Sequence, residues 1–190
     1  MKSDSSNFAS RAGQKLDAAL DALGLSVRGA TCADLGCNVG GFVDCLLQRG
    51  AQKVYAVDTG YGDLAWKLRK DDRVVVMERT NALHCEVPEQ VDLVTIDVAW
   101  TPQERIVPAA IRWLKPGGRI VSLLKPHYEL TKLQGKKPIA KLSPDEARGV
   151  CRTVCERLGQ QGACVRAVSQ SVLTGKGGNV EFLLLISEGA

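Results

Sequence analysis

No stretch of this sequence approaches the roughly 18 consecutive apolar residues that a membrane span requires, so the chain is not expected to cross a bilayer. It has no Cys-x-x-Cys pair. Its seven cysteines, Cys32, Cys37, Cys45, Cys85, Cys151, Cys155 and Cys164, are odd in number and irregular in spacing. That argues against a disulfide framework and fits a reducing cytoplasm. Cys151 and Cys155 fall one helical turn apart and His84-Cys85 stands alone. They read better as buried small apolar residues than as zinc ligands, and no metal is expected. The opening residues Met1 to Asn7 hold no apolar stretch behind their lysine, which argues against a secretory signal. There is no G-x-G-x-x-G turn, which counts against NAD and an oxidoreductase. No internal repeat appears, and no linker is long enough to divide the chain.

What is present fits one domain of 190 residues with a sizeable core. The net charge is +4, but it is unevenly placed: residues 1–114 carry 13 basic and 15 acidic side chains, and residues 115–157 carry 10 basic and 4 acidic. The basic excess includes Lys132, Lys136, Lys137 and Lys141. Such a segment suits a polyanionic partner, although a solvated lysine-rich loop would look the same.

Residues 1–9 read as a loose tail and residues 10–190 as the folded unit. From Ser10 to Leu23 apolar residues recur at helical spacing. Strands and helices then alternate: strands over 32–35, 53–58, 73–78, 91–98 and 119–124, helices over 41–49, 63–70 and 102–114. Residues 126–142 have little apolar periodicity and read as a loop. Ser143-Pro144-Asp145-Glu146 opens a further helix with a capping box. Strands over 163–169 and 180–187, joined through Gly175-Lys176-Gly177-Gly178, form a terminal hairpin. This order predicts a doubly wound α/β sheet with helices on both faces and seven strands, the last antiparallel.

Ligands of such sheets bind at the carboxyl ends of the strands. There lies the turn Gly36-Cys37-Asn38-Val39-Gly40-Gly41, followed by Phe42, where glycine lets backbone approach a ligand. Asp34 precedes it, suited to the amino-acid part of a cofactor or to organising the turn itself. Asp58, 22 residues beyond Gly36, suits ribose hydroxyls, and Asn81 suits an adenine edge or a plain turn. Asp97 and Lys125 end two further strands, so both are expected in the same crevice.

With these residues the chain resembles the FtsJ-type ribose 2′-O-methyltransferases, and within them the TlyA, hemolysin-named, rRNA methyltransferases. The likeness rests on Ser10-Arg11-Ala12 with Lys15-Leu16, on Gly40-Gly41-Phe42, Ala56-Val57-Asp58, Gly60-Tyr61-Gly62, Leu64-Ala65-Trp66, Glu78-Arg79-Thr80-Asn81, Leu124-Lys125-Pro126 and Gly178-Asn179-Val180-Glu181. It implies a class I, Rossmann-like fold and a Lys15, Asp97, Lys125, Glu181 catalytic tetrad. It also implies S-adenosylmethionine (SAM) as cofactor, held by Asp34, the 36–42 turn, Asp58, Asn81 and Asp97, and an RNA ribose hydroxyl as acceptor. On this reading Lys125 receives or steers the hydroxyl proton while Asp97 and Glu181 fix it, and Lys15 orients the ribose. Whether Lys125 is a base or an electrostatic positioner stays open. Arg11 and the four lysines would contact RNA, with rRNA or a ribosomal particle as target. TlyA proteins usually carry an N-terminal S4-type RNA-binding domain, while this sequence starts almost at the catalytic domain, so the expectation is that a separate RNA-binding partner or an assembled ribosomal particle completes recognition. The alternatives are methyl transfer to a non-RNA acceptor, which would not need Lys15 and Glu181, and a non-catalytic RNA- or ribosome-binding protein. A pore-forming role has no amphipathic membrane helix to support it.

Overall fold

A computed structural model describes residues 7–134 and 141–189. Seven strands form one sheet in the order β3-β2-β1-β4-β5-β7-β6. They are β1 (Thr31–Leu35), β2 (Lys53–Val57), β3 (Val74–Met77), β4 (Val91–Ile96), β5 (Leu114–Leu124), β6 (Ala163–Gln170) and β7 (Phe182–Glu188). The first five strands pair in parallel, and β7 runs antiparallel to both β5 and β6. The helices are α1 (Arg11–Ala22), α2 (Gly41–Gln48), α3 (Trp66–Arg69), α4 (Gln103–Ile111), α5 (Pro126–Gln134) and α6 (Pro144–Gln160).

Strand alternation sends neighbouring residues to opposite faces. One core joins Leu35, Val57, Ile96 and Trp113 to the α4 and α6 side chains. The other joins Cys32, Val54 and Val121 to Leu16 and Leu20 of α1 and Phe42, Val43 and Leu46 of α2. Helix α1 starts where the Ser10 hydroxyl accepts the Ala12 amide, and ends before Gly24, whose φ is +64°. It lies close on α2: a Cβ on Gly13 would come within 2.8 Å of the Gly41 carbonyl, and a Cβ on Gly41 within 3.1 Å of the Gly13 nitrogen. Only glycine allows that approach, and it sets the Lys15 helix against the 36–41 turn. The capping box of α6 is formed in both directions between Ser143 and Glu146.

Four expectations change. The residues before α1 are not a loose tail where they are described: the Ala9 amide donates to Asp44 Oδ2 at 2.7 Å, and Phe8 packs on the core. Helix α3 is a single turn. Strand β5 begins at Leu114 rather than Arg119, because Leu114 already pairs with Val91; Pro116-Gly117-Gly118 sits within the strand as an irregularity. The segment after Lys125 is helical over Pro126–Gln134, not a loop. Its inward residues include His127 and Glu129, both buried, so polar residues occupy positions where apolar periodicity is sought.

Candidate active site

The carboxyl ends of β1, β2, β4 and β5 face one crevice. At the end of β1 the Gly36 and Cys37 amides both donate to the Val57 carbonyl, at 2.8 and 3.1 Å. Gly36 has φ +90°, and a Cβ there would lie 2.8 Å from the Asp97 carbonyl oxygen. The turn therefore presses directly on the strand end that carries Asp97. Gly40, with φ +92°, packs against Leu64 and Leu68 instead.

Two cavities open on this edge. The first, of about 330 Å³, runs past Val57, Asp58, Asn81, Ala82, Trp100 and Ile106. The second, of about 220 Å³, is lined by Ser10, Asp34, Cys37, Phe42 and Lys125 among others. They meet at Gly36, Asn38, Asp97 and Ala99, which line both. Their combined size falls within the range of small-molecule sites.

Asp58 accepts the Asn38 amide on Oδ2 and the Gly60 amide on Oδ1, each at 2.8 Å. It thus ties the turn after β1 to the turn after β2. Each of its oxygens keeps a second lone pair for a ligand. Asn81 Oδ1 accepts the Leu83 amide, so its NH₂ group is the part left to face the cavity. Asp34 is 1% exposed. Its Oδ1 accepts the Thr95 hydroxyl at 2.8 Å, while Oδ2 has no well-aligned partner among the described residues, although the Val43 amide lies near enough to favour the charged form. Burial, with the nearby charges of Asp97 and Asp58, pushes this carboxyl up to about 8, against the pull of Thr95. Burial also raises the Cys37 thiol, so it is no nucleophile here.

The four candidate catalytic residues form two ion pairs. Lys125 Nζ lies 2.5 Å from Asp97 Oδ1 and 3.4 Å from the Val98 carbonyl. The Asp97 contact is close but not aligned as a hydrogen bond. Lys15 Nζ lies 2.5 Å from Glu181 Oε2, with the two side chains 12% and 3% exposed. The antiparallel register pairs Leu124 with Phe182. Lys125 follows Leu124 and Glu181 precedes Phe182, but neither Lys15 nor Glu181 lines either cavity; Lys15 lines a separate, smaller one with Ser169 and Leu183. Glu181 is thus engaged by Lys15, not by Lys125 as expected. Gly175 leaves the room for it, since any Cβ there would overlap the Glu181 carboxylate.

Arg11 is exposed at the start of α1, and Lys141 is exposed beside Gly178. The Lys132 side chain, Lys136 and Lys137 lie outside the described residues. Sequence reasoning missed Thr95, Ser10 and Trp100. Trp100 is 67% exposed, lines the first cavity and tilts against Tyr128, with ring centroids 5.4 Å apart. Its position three residues beyond Asp97 was the available signal.

A mostly parallel sheet with its last strand inserted antiparallel between β5 and β6, and a two-part cavity at its carboxyl edge, is the architecture of Rossmann-like methyltransferases. The model of the FtsJ-like methyltransferase family matches residues 8–187, and the chain belongs to that family. The 16S/23S rRNA (cytidine-2'-O)-methyltransferase TlyA of Mycobacterium tuberculosis is 41% identical over 182 residues, which cover 93% of this chain and 67% of that protein. YqxC of Bacillus subtilis, named as a candidate rRNA methyltransferase, is 39% identical over 189 residues, covering 97% of this chain and 67% of YqxC. Among solved structures, a candidate hemolysin from Streptococcus thermophilus superposes with a TM-score of 0.89 at 35% identity, over 99% of this chain and 70% of that one. No described helix is long and apolar enough to cross a membrane.

Proposed function

We propose that this protein transfers a methyl group from SAM to a ribose 2′-hydroxyl of RNA, with ribosomal RNA as the substrate class and the cytoplasm as its place of work. The observation that carries this reading is the Asp97–Lys125 pair where the two cavities meet. The names of the rRNA-methylating relatives point the same way.

The residues present fit SAM. Asp58 and the Asn81 NH₂ group suit a nucleoside in the first cavity. The buried Asp34 carboxylate, which lines the second cavity, suits the ammonium of an amino-acid moiety there. When bound, SAM supplies an electrophilic methyl on a sulfonium. As the new C–O bond forms and the C–S bond breaks, the acceptor oxygen must stay in line and lose its proton. Holding two reactants in such a geometry is worth up to roughly 7–11 kcal/mol.

An ammonium has three donors. Lys125 donates to the Val98 carbonyl and stands in ion-pair contact with Asp97, which leaves a donor for the acceptor oxygen. Lys125 therefore acts as a positioner and charge stabiliser, and the hydroxyl proton leaves towards the Asp97 carboxylate. Lys15, held by Glu181, orients the ribose. Trp100 and Tyr128 offer aromatic faces beside the site, on which an unstacked RNA base can rest. Arg11 and Lys141 supply backbone charge contacts.

The test is incubation with methyl-labelled SAM and ribosomal subunits lacking the modification, followed by mapping of ribose methylation. Label at a 2′-oxygen is the expected result. SAM binding with no transfer to any RNA or subunit overturns the reading.

A further inference from the structure

Glu129 lies on the first turn of α5, four residues beyond Lys125, and its side chain is buried. No salt bridge to it appears among the described residues. Its Oε1 accepts the backbone amide of Gln103 at 2.9 Å. Gln103 is the first residue of α4, a helix whose N-cap, Pro102, offers no side-chain cap. A helix start leaves its first amides unsatisfied and favours a negative group there, so a carboxylate from another helix fills the missing cap.

Gln103 is itself buried and fastened to β5. Its Oε1 accepts the Ser122 hydroxyl at 2.6 Å, and its Nε2 donates to the Leu123 carbonyl at 3.4 Å. The Lys125 carbonyl in turn accepts the Tyr128 and Glu129 amides at 3.0 and 3.2 Å. Two segments meet here. The β4–α4 connection carries Asp97 and Trp100, and the β5–α5 junction carries Lys125 and Tyr128. At the reaction edge they touch through Asp97–Lys125 and Trp100–Tyr128. Behind that edge they are tied by Glu129 to the start of α4.

We propose that Glu129 is a positioning residue for methyl transfer: its carboxylate locks α5 onto the start of α4 and so holds Lys125 against Asp97 and Tyr128 against Trp100. The inference rests on the reading of Asp97–Lys125 as the transfer site. Burial pushes the Glu129 carboxyl up to about 7, with the Gln103 amide pulling the other way. The link therefore needs an acceptor oxygen at this reach rather than a full charge.

Three variants of the whole chain test it, with single-turnover methyl transfer to ribosomal subunits, SAM affinity and circular dichroism measured for each. Glu129→Gln keeps the reach and the acceptor, and recovers most of the rate. Glu129→Asp keeps the charge but shortens the reach, and Glu129→Ala removes both. Each of these two lowers the transfer rate about ten-fold or more, the scale of loss that follows displacement of a catalytic group, with SAM affinity within about two-fold. If Glu129→Ala does not fold, Glu129→Asp against Glu129→Gln decides alone. A folded Glu129→Ala or Glu129→Asp with the wild-type rate overturns the inference, as does a Glu129→Gln as slow as Glu129→Asp. Absence of transfer by the wild-type protein would instead remove the reading of the site itself, so the two failures are distinguishable.

Discussion

Lys125 and Asp97 stand at the ends of neighbouring parallel strands, 2.5 Å apart, at the point where two cavities join. Parallel pairing of β4 with β5 sets Ile96 against Ser122, so the chain just beyond each strand reaches the same end of the sheet. The Gly36 turn pressing on the Asp97 backbone places this pair beside the cofactor edge.

Lys125→Ala removes the donor to the acceptor oxygen and leaves Asp34, Asp58 and Asn81 in place. Transfer should fall by about 100-fold or more, the scale seen when a charge-stabilising donor is removed, while SAM affinity changes by less than about three-fold. Rapid-quench transfer and calorimetric SAM binding check it. Comparable losses in both would mean that Lys125 chiefly holds the cofactor.

The Lys15–Glu181 pair predicts an asymmetry in stability. Glu181 is the more buried partner, at 3% against 12%, and lysine can extend its head toward water when released. Lys15→Ala leaves a buried carboxylate without its partner and should destabilise by about 3–5 kcal/mol. Glu181→Ala should cost less, and the double variant should recover part of the Lys15→Ala loss. Urea denaturation of the four proteins measures this; equal and additive losses would contradict it.

Asp34 predicts a pH effect on the free protein. Its folded carboxyl titrates at about 8, against about 3.9 in an unfolded chain. Between these values the folded state keeps a proton that the unfolded state has lost. Its contribution is therefore complete below about pH 4 and is lost as pH rises through about 8. Asp34→Asn mimics the neutral acid. Its stability advantage over the wild type should grow from pH 5 to pH 8, by at most on the order of 1 kcal/mol per pH unit, while its SAM affinity falls. Cofactor-free denaturation curves across that range would show it. A constant difference would contradict it.

Gly175→Ala inserts a methyl against the Glu181 carboxylate. The expected outcome is slower transfer with SAM affinity intact, because Gly175 lines neither cavity. Kinetics of the purified variant check it, and an unchanged rate would mean that the Glu181 carboxylate can shift without consequence.

The sheet was legible because β-rich runs alternated with helical spacing and ended at glycines, and this put Asp97 and Lys125 at strand ends. Helix α5 was not legible, since its inward His127 and Glu129 are polar and pattern reading assigns such residues to solvent. The early start of β5 was hidden by Pro116-Gly117-Gly118, which reads as a stop although Leu114 already pairs with Val91. The partner of Glu181 was misassigned for a different reason. Pairing with Lys15 depends on the close α1–α2 approach at Gly13 and Gly41 and on the β5–β7 register, and neither is a local property of the chain.

The most direct measurement compares the wild type with Lys125→Ala, using labelled SAM and ribosomal subunits that lack the modification, and maps the methylated atom. The account predicts label on a ribose 2′-oxygen with the wild type and none above background with Lys125→Ala, both proteins binding SAM. Label on a base or on protein, or equal labelling by the two proteins, would contradict it.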